Sequence, residues 1–211
     1  MRSSFLAYRA RIVHNARAER GDLNVLFVFV FILLVVFLAL AVDVTLVLSK
    51  KAANDSLLQN VREDSVGTSM RLEAENSSDP DEVVARGVAE SVRDAGFKGA
   101  VTVYFYEVPE TDVAADRRDT ERLYAYQVVV DDTVSPVFAA LFGVAEIRVP
   151  STFVATSNPR SPIKIWRPDG SKSAVWKLSP GAPAGSMAST AAALSTMPSG
   201  IQNAVARLSA S

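Results

Sequence analysis

Eighteen consecutive residues, Val25 to Val42, carry neither a charge nor a polar side chain. Leu, Val, Phe and Ile dominate the run. An α-helix rises about 1.5 Å per residue, so this stretch alone covers ~27 Å. Extending it through Asp43 and Thr45 to Leu48 gives twenty-four residues. The hydrocarbon core of a bilayer is ~30 Å thick and needs ~20 apolar residues to cross. A core helix of a water-soluble domain keeps a polar stripe, and this run has none. The pattern predicts one transmembrane helix over residues 22–48. The chain has 211 residues, which leaves material for one further domain of ordinary size.

The flanks of the run give an orientation. Arg2, Arg9, Arg11, Arg17 and Arg20 precede it, with Glu19 and Asp22 as the acidic residues there. Lys50 and Lys51 follow, and then charge turns mixed at Asp55, Arg62, Glu63 and Asp64. The positive-inside bias favours a cytoplasmic N-terminus in the cell membrane, with the C-terminal bulk outside the cytoplasm. A cleaved secretory signal would carry a shorter apolar core and a small-residue cleavage site. Here the run ends in Leu48-Ser49-Lys50-Lys51, so a retained anchor is the better reading.

Asp43 stands late in the run. One reading makes it an intramembrane carboxylate that packs against a neighbouring subunit's helix or marks a conduction path. The other, which the arithmetic favours, places it at the outer interface within reach of water.

Beyond the membrane the pattern stays helical. From Ser49 to Glu75 there is no proline and one glycine, Gly67, while Ala53, Leu57, Leu58, Val61, Met70 and Leu72 form a narrow apolar stripe. The spacing predicts one continuous helix from Leu23 to about Ala74; the alternative is two helices with a bend near Gly67. Asn76-Ser77-Ser78-Asp79-Pro80 stops it. A second helix follows, with Asp79 as N-cap, Pro80 in the first turn, Val83, Val84, Val88 and Val92 inward, and Gly96 at its end.

The period then changes to two. Ala100–Val108 and Leu123–Val130 read as strands, separated by a charged loop from Pro109 to Arg122. Glu107, Glu110, Asp112 and Asp116 make that loop acidic, but the spaced pattern of a calcium loop is missing, and a solvated loop is the expectation. Asp131-Asp132-Thr133 are expected to cap a short helical stretch, Val137 to Phe142, closed by Gly143. Ile147–Ala155 reads as a third strand, and Pro150 places it at an edge or bulge. Ile163–Trp166 and Ala174–Leu178, joined through Pro168-Asp169-Gly170, read as a β-hairpin with Trp166 and Trp176 packed across strands. A ligand platform is the alternative for that pair. From Ser179 the composition turns to Ala, Ser, Pro and Gly, the mark of a mobile tail. Ile201–Leu208 can form a short helix within it.

The predicted fold is therefore α+β: a long N-terminal helix, half transmembrane and half extramembrane, with a small antiparallel-sheet head carrying one or two short helices. The segments are a basic leader (1–21), the transmembrane helix (22–48), a helical extension (49–78), the α/β head (79–178) and the low-complexity tail (179–211).

Composition narrows function by exclusion. Cysteine is absent and His14 is the single histidine, so no thiolate or multi-histidine metal site and no histidine-based triad forms within one chain. No glycine-rich phosphate loop, nucleophile elbow or zinc motif is present. The expectation is no enzyme, no catalytic residue, no metal and no cofactor. The net charge of −1 gives no basic field for nucleic acid.

A basic leader, Arg20-Gly21, a polar residue or two, and a long apolar helix running into a polar one together resemble a type IV pilin or pseudopilin. Ala41-Val42-Asp43-Val44 leading into Lys51-Ala52-Ala53-Asn54-Asp55 is similar to the start of TadE/TadG-like proteins of Flp (Tad) pilus systems. Val128-Val129-Val130, Pro136-Val137-Phe138, Leu141-Phe142-Gly143, Ile147-Arg148-Val149 and Ala155 resemble their later signature. The likeness covers Arg20 to Ala155. It implies a membrane-inserted minor pseudopilin or pilus-assembly component that packs with other pilin-like subunits. It also implies a prepilin peptidase as partner, cutting between Gly21 and Asp22. One position departs from the pilin pattern: where pilins carry glutamate five residues after the cut, this chain has Leu26. That departure favours the TadG-like branch over a major filament subunit. The alternative function is a membrane-anchored extracytoplasmic binding or sensor domain unrelated to pili.

Overall fold

The structure, a computed structural model, describes residues 3–157 and 171–210. It is α+β: a long N-terminal helix followed by a five-stranded antiparallel sheet with shorter helices. Two compact units divide the chain. One is the chain up to Leu46 together with Ser135–Ala145; the other is Val47–Val134 with Glu146 to the C-terminus.

In the first unit, helix α1 (Ser3–Val66) includes the apolar run. Every residue from Val25 to Leu38 is exposed, on all faces of the helix. A helix that is apolar all round and uncovered by protein is unstable in water. Among the described residues it is the one helix long and apolar enough to cross a membrane.

In the second unit, the last turns of α1 belong to a folded core. Leu58 and Val61 are buried, with Leu57 packed beside them. The predicted continuous helix breaks at Gly67, as the alternative had it. Gly67 turns to ψ 156°, and α2 (Thr68–Asn76) begins after it. A Cβ at Gly67 would lie 2.8 Å from the carbonyl oxygen of Asp64, so a larger residue would push the chain out of this bend. Helix α3 (Pro80–Asp94) buries Val84, Ala85, Val88, Ala89 and Val92, and the chain leaves it at Gly96, φ +81°. Asp79 precedes it as expected but makes no capping bond with its side chain. Its carboxylate accepts instead from Lys172 Nζ at 2.7 Å and from the Ser78 hydroxyl, bonds that hold it below the ordinary carboxylate range.

Strands β1 (Ala100–Glu107), β2 (Tyr124–Val134), β3 (Ile147–Ser157), β4 (Ser173–Leu178) and β5 (Ala188–Ala191) lie in the order β3-β2-β1-β4-β5, all antiparallel. The alternation in β1 puts Val101, Val103 and Phe105 on the face covered by α1, α2 and α3. Tyr104 and Tyr106 point to the opposite face, which helix α4 (Ser199–Ala210) covers with Ile201, Ala204, Val205 and Leu208. Pro150 is on β3, an edge strand, as its missing N–H requires.

Three expectations are corrected here. The chain after Ser179 is no mobile tail: it supplies β5 and α4, and α4 closes the second core. Asp131, Asp132 and Thr133 do not cap a helix; they extend β2, paired with Pro150, Val149 and Arg148. The hairpin fails at β4, whose neighbours on both sides are β1 and β5. Ile163–Trp166 and the Pro168-Asp169-Gly170 turn lie outside the described residues. Trp176 packs toward the helices, and its indole N–H donates to Asp81 at 3.1 Å.

Candidate functional site

The most unusual polar arrangement lies in the first unit. Asp43 follows directly on the apolar run, yet its side chain is covered, with 5% of the residue exposed. Its cover is the segment Ser135–Ala145. Asp43 Oδ1 accepts the backbone N–H of Val137 at 2.7 Å and of Phe138 at 3.2 Å. Oδ2 accepts from Phe138 at 3.0 Å and from Ala139 at 2.7 Å. One carboxylate thus satisfies three successive amide donors at the start of a short 3-10 turn, Ala139–Phe142. Such donors otherwise need water or a side-chain acceptor. The expectation that Asp43 stands within reach of water is therefore corrected. The carboxylate is turned onto the chain's own backbone and serves as the remote cap of the turn that Asp131 and Asp132 were expected to hold.

The rest of this segment is equally self-contained. Leu141 N–H donates to Phe138, Gly143 N–H to Ala140 and Val144 N–H to Ala139. Gly143 takes φ +85°, the left-handed conformation that closes such a turn and that a β-carbon disfavours. Phe138 and Phe142 pack ring to ring, centroids 5.7 Å apart. With its backbone so occupied, the segment turns Val137, Leu141 and Phe142 outward, at 67%, 76% and 75% exposure.

The other predicted site residues, Gly21 and Asp22, fall within α1. Leu26, at the position of the pilin glutamate, is one of the exposed apolar residues of that helix.

A second polar centre lies in the other unit, in the loop expected to be solvated. Arg122 is fully buried, and Glu107 nearly so. Arg122 Nε donates to Glu107 Oε1 at 2.7 Å and Nη2 to Oε2 at 3.4 Å. Its Nη1 donates to the carbonyls of Ala74, Glu75 and Ser77 at 3.1, 3.0 and 2.8 Å. These are carbonyls at the C-terminal end of α2, where a cation is favoured. All three guanidinium nitrogens bond to the protein itself, which marks the arrangement as structural. A third buried polar contact ties α1 to the sheet: Tyr126 Oη donates to Ser65 Oγ at 2.9 Å, and Ser65 to the carbonyl of Arg62. Burial pushes the Tyr126 phenol up to about 12, against the opposing effect of its bond with Ser65.

A groove of about 730 Å³ runs between the end of α1 and β3, lined by Asp55, Leu58, Gln59, Arg62, Thr152 and Phe153 among others. Among the described residues no group of three or more His, Cys, Asp or Glu is placed to hold a metal ion. Comparison with protein-family models, with characterised proteins and with solved structures finds no significant match.

Proposed function

We propose that this chain is a single-pass membrane protein, a minor pseudopilin or assembly component of a Tad (Flp-type) pilus or related secretion system. It acts by subunit packing and not by catalysis. The observation that carries the reading is α1. Its apolar part is bare on all sides, while Leu58 and Val61 in its last turns are buried beneath a sheet. A helix of this kind serves two media: lipid, or other subunit helices, around the first part, and a folded head around the second. The apolar surface holds the subunit in the bilayer and can exchange lipid for neighbouring helices during assembly. The head supplies specific contacts. The N-terminus is cytoplasmic in this reading, by the arginine-rich leader.

The leader provides the test. Co-expression with a prepilin peptidase, followed by intact-mass spectrometry, is expected to show loss of residues 1–21 with Asp22 as the new N-terminus. A Gly21→Leu variant is expected to keep its full mass. An intact leader in the presence of active peptidase counts against a processed pseudopilin. It then favours the second reading, an anchored extracytoplasmic binding domain, for which the groove between α1 and β3 is the natural binding surface.

A further inference from the structure

The segment Pro136–Ala145 holds ten residues without one polar or charged side chain, between Ser135 and Glu146. It groups with the apolar part of α1 and not with the sheet-bearing unit. An exposed apolar loop in water normally collapses into its own core or frays. This one does neither: Asp43 and its own carbonyls occupy the N–H groups of Val137, Phe138, Ala139, Leu141, Gly143 and Val144. With these six N–H groups occupied and its apolar side chains turned outward, the segment suits the headgroup boundary, where water still reaches the remaining backbone groups, rather than the hydrocarbon interior. Asp43 itself comes directly after Val42, at the outer end of a run that already spans ~27 Å.

We propose that Pro136–Ala145 is a second membrane-contacting segment. It lies in the boundary between headgroups and acyl chains of the outer leaflet, beside α1, with Val137, Leu141 and Phe142 in lipid, and Asp43 pins it there. The proposal rests on the reading of α1 as membrane-spanning. The partner is phospholipid rather than protein because the segment belongs to the same compact unit as the bare apolar part of α1. The segment carries no charge or side-chain donor with which to select a protein partner.

The chain lacks cysteine, so single cysteines introduced at Leu33, Phe142 and Thr111 take one environment-sensitive fluorophore each. The full chain is reconstituted in phosphatidylcholine vesicles containing lipids with a quencher near the headgroup or near the acyl-chain end. The Leu33 label is expected to be quenched mainly by the deep lipid, and the Thr111 label by neither. The Phe142 label is expected to lose about half its intensity or more to the shallow lipid, as a group set ~5–10 Å into the boundary should. Adding Asp43→Ala is expected to bring the Phe142 label to the Thr111 value with Leu33 unchanged, and Asp43→Asn, which keeps one acceptor oxygen, to fall between. Quenching at Leu33 with none at Phe142 overturns the proposal and leaves the membrane reading standing. No quenching at Leu33 overturns both. Undiminished quenching at Phe142 in Asp43→Ala overturns the pinning role of the carboxylate.

Discussion

Replacing Arg122 by methionine isolates the contribution of the buried ion pair. Methionine keeps much of the aliphatic volume and removes the guanidinium. Among the described residues, Glu107, 4% exposed at its side chain, then keeps one donor, the backbone N–H of Lys172 at 3.2 Å. Stranding a buried carboxylate in this way costs about 3–5 kcal/mol. The three carbonyls at the end of α2 lose their donor as well; two of them sit where water can reach, so this adds only about 1–2 kcal/mol. The sum, about 4–7 kcal/mol, is a large part of the ~5–15 kcal/mol that holds a typical domain together. In a urea titration of the full chain in detergent, followed by tryptophan fluorescence, the midpoint is expected to fall by about 2 M or more. Trp176 is a suitable reporter because it bridges β4 to Asp81 on α3. The double variant Glu107→Leu, Arg122→Met removes both charges and is expected to recover all but the carbonyl part, leaving a deficit of about 1–2 kcal/mol. A single variant that costs under about 1 kcal/mol, or a double variant as unstable as the single, would refute the assignment of a desolvated pair.

Two further outcomes follow from the core. Tyr126 keeps its proton in the folded chain up to about 12, whereas the unfolded chain releases it near the ordinary 10.0. Its contribution is thus fully present below pH 10 and is lost as pH rises toward 12, by about 2–3 kcal/mol. Urea midpoints measured along an alkaline series should converge between the wild type and Tyr126→Phe, and parallel curves would show that the phenol is not shielded. Ile201 is fully buried, so Ile201→Ala should destabilise the second unit by about 2–4 kcal/mol and strip hydrogen-exchange protection from residues 199–210. An unchanged midpoint would return that segment to the status of a loose tail.

The elements with a clear period were legible from the residues. The apolar run, α3 between Pro80 and Gly96, the alternation of β1, and the edge position of Pro150 all follow from local chemistry. What escaped was long-range. Nothing near Asp43 in sequence announces that its partners are amides 94–96 residues away. Arg122 and Glu107 likewise read as part of a charged loop because their exposure depends on how α2 lies over them. Pro168-Asp169-Gly170 is a sound turn signal, but a local turn cannot say which strands flank β4. In the C-terminal segment, an abundance of Ala, Ser and Gly hid a stripe at Ile201, Ala204, Val205 and Leu208, and β5, at four residues, is too short to show a period.

The rim of the sheet has a bearing on life at high local concentration. Subunits confined to a bilayer meet one another far more often than the same number of molecules free in a cell. Under those conditions an open strand edge invites runaway edge-to-edge pairing. Here Lys51 Nζ donates to the carbonyl of Pro150 at 3.1 Å and to the Ser151 hydroxyl at 2.8 Å, and Asn54 Nδ2 donates to the carbonyl of Val149 at 3.1 Å. The residues just past the apolar run thereby blunt part of one rim, and the opposite rim ends in the short β5. Edge-to-edge association of such chains through their sheets is thereby disfavoured.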